Sequence, residues 1–289
     1  MSSPTTAHRR AIALLAFCGL LWSTGGLLIK LVDWHPLAIW SARSAITAAV
    51  LWLARRPSLR RITGGEWAAA ASLAATTGLF ILANKLTTAA NAILIQYSAP
   101  VWIALLGAWL LGERATRIDW VTIGLVLGGI VLFFFEQLTF EHVAGNLVAF
   151  TAGVAFAFST MTLRRVAMAG SGEAPRAPLD PLRPLFLGNL IGAVLGAPAM
   201  LLGAPPGATG WAALLGLGVV QQAAAYLCYA RAIRDATALD AMLVPVIEPI
   251  LSPLWVALAF GERPGPWALL GGTIVVGAVT LRAVLRSRT

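Results

Sequence analysis

The chain has 289 residues, 58% of them hydrophobic and only 11% charged, with a formal net charge of +9. So little charge cannot clothe a soluble surface of this size; the composition excludes a soluble globular protein and leaves an integral membrane protein. A pI near 10.9 invites a nucleic-acid partner, but the arginines stand between apolar runs, where they orient a membrane protein, and no nucleic-acid role is expected.

A helix needs about 20 apolar residues to cross the hydrocarbon core. Ten stretches approach that length: Ala11 to Val32, Leu37 to Ala54, Trp67 to Ala83, Ala89 to Leu111, Ile118 to Phe135, Ala144 to Leu163, Leu185 to Leu202, Trp211 to Ala230, Leu239 to Phe260 and Trp267 to Val284. The first shows no small-residue cleavage site and is read as a span, not a cleaved signal peptide. The longest connection, Arg164 to Pro184, carries GSGEAPRAPLDP and is expected to be a mobile linker. Cys18 and Cys228 lie inside apolar runs and read as small, reduced packing residues.

Orientation follows from the cations. With the N-terminus inside, the inner segments hold seventeen of the 21 Lys and Arg residues, and the outer segments hold Lys30, Lys85 and Arg263, with Arg43 inside a span. This asymmetry places both termini in the cytoplasm of a multi-pass inner or plasma membrane protein.

Two stretches repeat each other. Ala99 to Arg114, APVWIALLGAWLLGER, aligns without gaps on Glu248 to Arg263, EPILSPLWVALAFGER, at a single offset that matches Pro100 to Pro249 and Gly112-Glu113-Arg114 to Gly261-Glu262-Arg263. Weaker echoes join Trp22 and Lys30 to Phe156 and Arg164, and Pro36 to Pro181. Each half therefore holds five spans, residues 1–136 and 137–289. Five is odd, so the halves are expected to lie in opposite orientations. The fold class expected is all-α, ten transmembrane helices in two inverted five-helix repeats, an architecture of alternating-access carriers whose site lies near the midplane.

Span nine concentrates the unusual chemistry. LDAMLVPVIEPILSPLWVALAFGER holds one carboxylate, Glu248, and three prolines, Pro245, Pro249 and Pro253, spaced four apart. Each proline removes a helical hydrogen bond; within a membrane such backbone is tolerated where it is buried in protein or lines a wet cavity. An intramembrane carboxyl is a functional candidate by default, and two readings stand for Glu248: a proton-coupling group, or a structural carboxyl bonding groups freed by the prolines. Arg43 has three readings: a tilted pairing with Glu248, snorkelling outward, or capture of a substrate carboxylate.

LLWSTGGLLIK in span one, HPLAIWSAR entering span two, LTTAANAILIQYSAPVWIALLGAWLLGER across span four and IEPILSPLWVALAFGERP in span nine together resemble the EamA branch of the drug/metabolite transporter superfamily, including its aromatic amino acid exporters. The resemblance covers nearly the whole chain. It implies ten helices, two inverted repeats and a carrier exporting or exchanging small metabolites. The sequence departs from the family pattern at Phe156, where tryptophan is usual, and in the long connection after span six.

Polar and aromatic side chains inside spans supply a candidate substrate cavity: Trp22, Arg43, Gln96, Tyr97, Ser98, Trp102, Gln222, Tyr226, Glu248, Ser252 and Trp255. For any one of the aromatics, lipid contact is an equal reading. Pro100, Pro245, Pro249 and Pro253 are the hinge candidates. The three histidines lie at span ends and the sequence has no HExxH, Walker A motif or Cys/His cluster; neither enzyme chemistry, a metal nor a cofactor is expected. The reading is a secondary carrier exporting amino acids, aromatic or otherwise apolar, with the bilayer and a small solute as partners, proton coupling through Glu248 as one mechanism, and a monomer assumed. The alternatives are a carrier of drugs or cationic compounds, and a channel.

Overall fold

The structure is a computed structural model that describes residues 4–138, 141–169, 180–260 and 265–286. The second Gly-Glu-Arg, residues 261–263, and most of the expected mobile linker, residues 170–179, lie outside the described residues.

All ten expected spans are helical. Span one is Pro4–Ser23 continued by Gly25–Lys30, span two Pro36–Arg55, span three Gly64–Leu86, and span four Ala89–Gln96 followed by Ala99–Leu110. Span five is Arg117–Phe133, span six Val143–Ala169, and span seven Leu182–Gly196 with a 3-10 extension, Ala197–Leu201. Span eight runs Ala208–Leu215, Gly216–Ala224 and Ala225–Ala232; span nine Ala238–Leu243, Val244–Ile247 and Glu248–Phe260; span ten Pro266–Arg286. Eight of these are long and apolar enough to cross a membrane. The other two fall short for visible reasons: span five has 17 residues, and span nine is interrupted by the 3-10 turn Val244–Ile247.

Local chemistry sets many of the ends. Thr63, Thr116 and Thr237 each accept from the backbone N–H three residues on, while Glu66, Asp119 and Asp240 reach back to the threonine N–H, so spans three, five and nine start on capping boxes. Thr88 caps span four in the same way, accepting from Asn91 N at 3.1 Å. Span two starts with Pro36 in the first turn, where its missing N–H costs nothing.

Packing joins the halves. Span three lies along span six and span one along span eight; span two packs on span seven, span five on span ten, span four on span six, and span one on span nine. Small residues permit these approaches. A Cβ on Gly196 would lie 2.7 Å from Leu37 O and one on Gly192 3.1 Å from the Trp40 ring, so these glycines of span seven pack on span two, while one on Gly188 would lie 2.8 Å from Ala70 O of span three. On span five Gly129 is pressed against Val275 and Gly271 O of span ten, whereas Gly124 and Gly128 have nothing within 4 Å among the described residues.

The two ends of the bundle differ in charge. The face holding the first residues of span one carries His8, whose Nδ1 lies 3.3 Å from Asp235 O, and all five ion pairs found between described residues. Arg164 Nε meets Glu113 Oε1 at 2.8 Å, Arg183 meets Glu66, and Glu113 Oε2 also accepts from Ala238 N at 2.8 Å. Arg282 lies between Asp119 (2.8 Å) and Asp240 (2.6 Å), with all three side chains at most 2% exposed. Its place in the sequence groups Arg282 with the orienting surface charges; the structure corrects this, burying it as the tie between the starts of spans five and nine and the end of span ten. On the opposite face Thr87 Oγ1 donates to Asn146 Oδ1 (2.9 Å), Asn91 Nδ2 donates to the same oxygen (3.1 Å), Lys85 Nζ lies 3.0 Å from His35 Nε2, and the Phe135 and Trp267 rings meet at a tilt, 5.7 Å apart.

Candidate functional site

The site forms where two spans break. Pro245 and Pro249 remove successive backbone donors from span nine, and the chain tightens to 3-10 geometry over Val244–Ile247 before restarting at Glu248. Glu248 thus stands in the first turn of a helix, where the macrodipole favours negative charge. Span four breaks at the equivalent place, Tyr97–Ser98, and restarts with Pro100 in its first turn. Pro100 therefore follows a break and does not kink a continuous helix.

Each break is covered by a glycine of another span. A Cβ on Gly153 of span six would lie 2.9 Å from Gln96 O and 2.9 Å from Ser98 Oγ; one on Gly19 of span one would lie 3.0 Å from Pro245 Cα and 2.9 Å from the Ile247 side chain. The glycines stand at the same spacing as Trp22 and Phe156, and the residues they cover at the same spacing as Pro100 and Pro249.

Several candidate residues converge. Tyr97 Oη donates to Glu248 Oε2 at 3.4 Å, across a separation of 151 residues. Tyr97 is buried, whereas Glu248 keeps part of its surface open. Arg43 lies within electrostatic reach of both Tyr226 and Glu248 but closes no ion pair with the carboxylate, and its buried Nε has no hydrogen-bond partner among the described residues. The Trp22 ring packs edge-on against Tyr226 at 6.3 Å and at a tilt against Tyr229 at 5.6 Å. Gln222 Nε2 donates to Tyr226 Oη at 2.9 Å, and its buried Oε1 has no partner among the described residues. Pairwise contacts and electrostatic proximity therefore link Arg43, Tyr97, Tyr226, Gln222, Trp22 and Glu248 into one cluster that holds an acid, a guanidinium and three aromatic rings.

Other candidates point elsewhere. Trp255 Nε1 donates to Ser23 Oγ at 2.8 Å, and Ser252 Oγ fills the space over Gly26, so both tie span nine to span one. Trp102 packs edge-on against Phe150 of span six at 5.6 Å, and Gln96 is buried beside span six, with its carbonyl over Gly153. Ser98 Oγ and Trp102 Nε1 are buried without hydrogen-bond partners among the described residues. Pro253 falls inside the second helix of span nine.

Sequence reasoning misses the π-helical segment Gly216–Ala224 of span eight. Thr47 Oγ1 of span two donates to Gly218 O at 3.1 Å, and insertion of a side chain into the hydrogen-bond ladder is a known cause of such a distortion. The segment carries Gln221 as well as Gln222; Gln221 Nε2 donates to Trp22 O at 3.4 Å, which turns its unpartnered Oε1 away from that carbonyl. π-segments recur at functional sites. Nothing within GLGVVQQAA signals this; the hydroxyl that meets its Gly218 carbonyl stands on another span.

Long apolar helices on every side of a buried polar cluster define a multi-pass α-helical membrane protein. The sequence pattern of the EamA-like transporter family matches residues 9–135 and again residues 143–283, and the chain belongs to that family. It is a membrane transporter of the drug/metabolite transporter superfamily. Two proteins of Archaeoglobus fulgidus, each described as an uncharacterized transporter, are similar to it: one 26% identical over 71% of both chains, the other 24% identical over 93% of this chain and 95% of its own. A crystal structure 22% identical in sequence superposes with a TM-score of 0.79, covering 99% of this chain and 100% of that one, which shows likeness of fold.

Proposed function

We propose that the protein is a secondary carrier that exports amino acids, aromatic or otherwise apolar, across the inner membrane by alternating access. The observation that carries this reading is the set of groups at the helix breaks: Arg43 suits a carboxylate, Glu248 and the open oxygen of Gln222 suit an ammonium, and Trp22, Tyr97 and Tyr226 suit an apolar or aromatic side chain. A carrier of cationic compounds would need Glu248 and the rings but not Arg43.

Alternating access in this reading comes from two inverted halves, residues 1–136 and 137–289. The matching caps at Thr88 and Thr237, the matching breaks before Pro100 and Pro249, and the matching glycines Gly19 and Gly153 support it. The arginine-rich face that holds the start of span one is assigned to the cytoplasm. Glu248 is the proton-coupling candidate, because the 3.4 Å bond from Tyr97 is a weak anchor for a purely structural carboxyl.

Purified protein in liposomes tests the function. Uptake and counterflow of apolar amino acids are expected, with quaternary amines inert; the reverse preference overturns the amino-acid assignment, and flux without counterflow indicates a channel. Topology is tested in a variant lacking Cys18 and Cys228: cysteine at Ala204 should react with an impermeant thiol reagent on intact cells and cysteine at Gly64 should not. Reaction at Gly64 overturns the orientation.

A further inference from the structure

A second site lies on the termini face, away from the helix breaks. The ends of spans two and eight and the start of span seven enclose a cleft of about 170 Å³ lined by Arg55, Arg231, Arg234, Asp180 and the apolar Leu182 and Leu227. Arg234 is partly engaged, with Nη2 3.3 Å from Asp180 Oδ1. Arg55 and Arg231 make no hydrogen bond or ion pair through their side chains among the described residues and are exposed. Three arginines against one aspartate leave two formal positive charges over an apolar floor.

The backbone at Arg56 is unusual beside this cleft. Span two ends there in the left-handed region (φ 43°), with Arg56 N donating to Trp52 O at 2.7 Å, a cap that normally falls to glycine. Keeping arginine at such a position costs backbone energy and maintains two consecutive cations at the helix end. Toward the membrane interior the same helix exposes Trp52 (47%) and Leu53 (67%), one turn or less before Arg55. A phosphate flanked by cations at the level of helix ends, with acyl chains running along exposed apolar side chains, is the geometry of an anionic lipid between spans. The cleft at the opposite face, lined by Leu31, Asp33 and the segment 204–210, contains no cation.

We propose that this cleft binds the phosphate headgroup of an anionic phospholipid, with Arg55 and Arg231 on the phosphate oxygens and Leu182 and Leu227 against the glycerol and first acyl carbons. The inference does not depend on which solute the carrier moves.

The test uses the full-length protein in neutral detergent, titrated with dioleoyl phosphatidylglycerol, dioleoyl phosphatidylcholine or glycerol phosphate, with thermal unfolding and native mass spectrometry as readouts. Phosphatidylglycerol is expected to raise the unfolding temperature and to remain bound, while the other two do neither. Arg55→Gln with Arg231→Gln should weaken apparent lipid affinity about thirty-fold, from two near-surface arginine contacts. Arg55→Lys with Arg231→Lys should restore most of it. Arg114→Gln with Arg117→Gln, an equal charge loss elsewhere on the same face, should change affinity less than about three-fold. Equal weakening by this control reduces the effect to the general field of the face and overturns the site. Equal stabilisation by phosphatidylcholine overturns the headgroup assignment, and equal stabilisation by glycerol phosphate overturns the lipid as the source of the phosphate.

Discussion

Replacing Arg282 with methionine removes the cation that joins three helix ends. Its Nε and Nη1 lie 2.8 and 2.6 Å from Asp119 and Asp240, and none of the three side chains is more than 2% exposed. The substitution leaves two carboxylates in a buried position without this guanidinium, and breaking a buried pair by removing one partner costs about 3–5 kcal/mol. Both aspartates also close capping boxes through their other oxygen, accepting from Thr116 N at 2.7 Å and from Thr237 N at 3.0 Å. Damage at Arg282 therefore spreads to the starts of spans five and nine. At a few degrees per kcal/mol, the loss corresponds to about 10 °C in the unfolding temperature, read by size-exclusion recovery after heating of purified protein in detergent. Combining Arg282→Met with Asp119→Asn and Asp240→Asn should recover most of that loss, because the amide oxygens still accept the caps and no charge is left buried. An Arg282→Met protein that unfolds within about 1 °C of wild type would refute the reasoning. A triple variant no better than the single one would show that packing, not charge, is what was lost.

Glu248→Gln keeps the size of the side chain and its bond from Tyr97; it should retain amino-acid counterflow in liposomes and lose stimulation by an imposed pH gradient, so undiminished stimulation eliminates proton coupling at this residue. Gly19→Leu and Gly153→Val push side chains into the breaks of spans nine and four, where the first added carbon already meets atoms at 2.9 Å, and each should cost about 1–3 kcal/mol together with transport. Gly124→Ala, with nothing within 4 Å, should be neutral or stabilising by up to about 1 kcal/mol; thermal stability and uptake measured side by side separate close packing from glycine loss in general.

Much of this architecture is legible in the order of the amino acids. Ten apolar runs correspond to ten helical spans, because the length needed to cross a bilayer and the exclusion of charge from it are properties of a local window of sequence. The interruption of span nine at Val244–Ile247 is equally legible, since proline removes its hydrogen bond wherever it stands. The gap-free match of Pro100 to Pro249 points to two similar breaks, although at Pro100 the break precedes the ring. What the sequence cannot supply is which span ends meet. Arg282 looks like any terminal arginine until the starts of spans five and nine are brought beside it, and Tyr97 is 151 residues from the carboxylate it contacts. The Gly218 carbonyl in the π-segment of span eight is met by Thr47 of span two, and the roles of Gly19 and Gly153 exist only in the spans pressed against them. Periodicity, hydropathy and proline act within a helix and are written in the chain. Contacts between helices depend on rotation and register, which only the packed bundle decides.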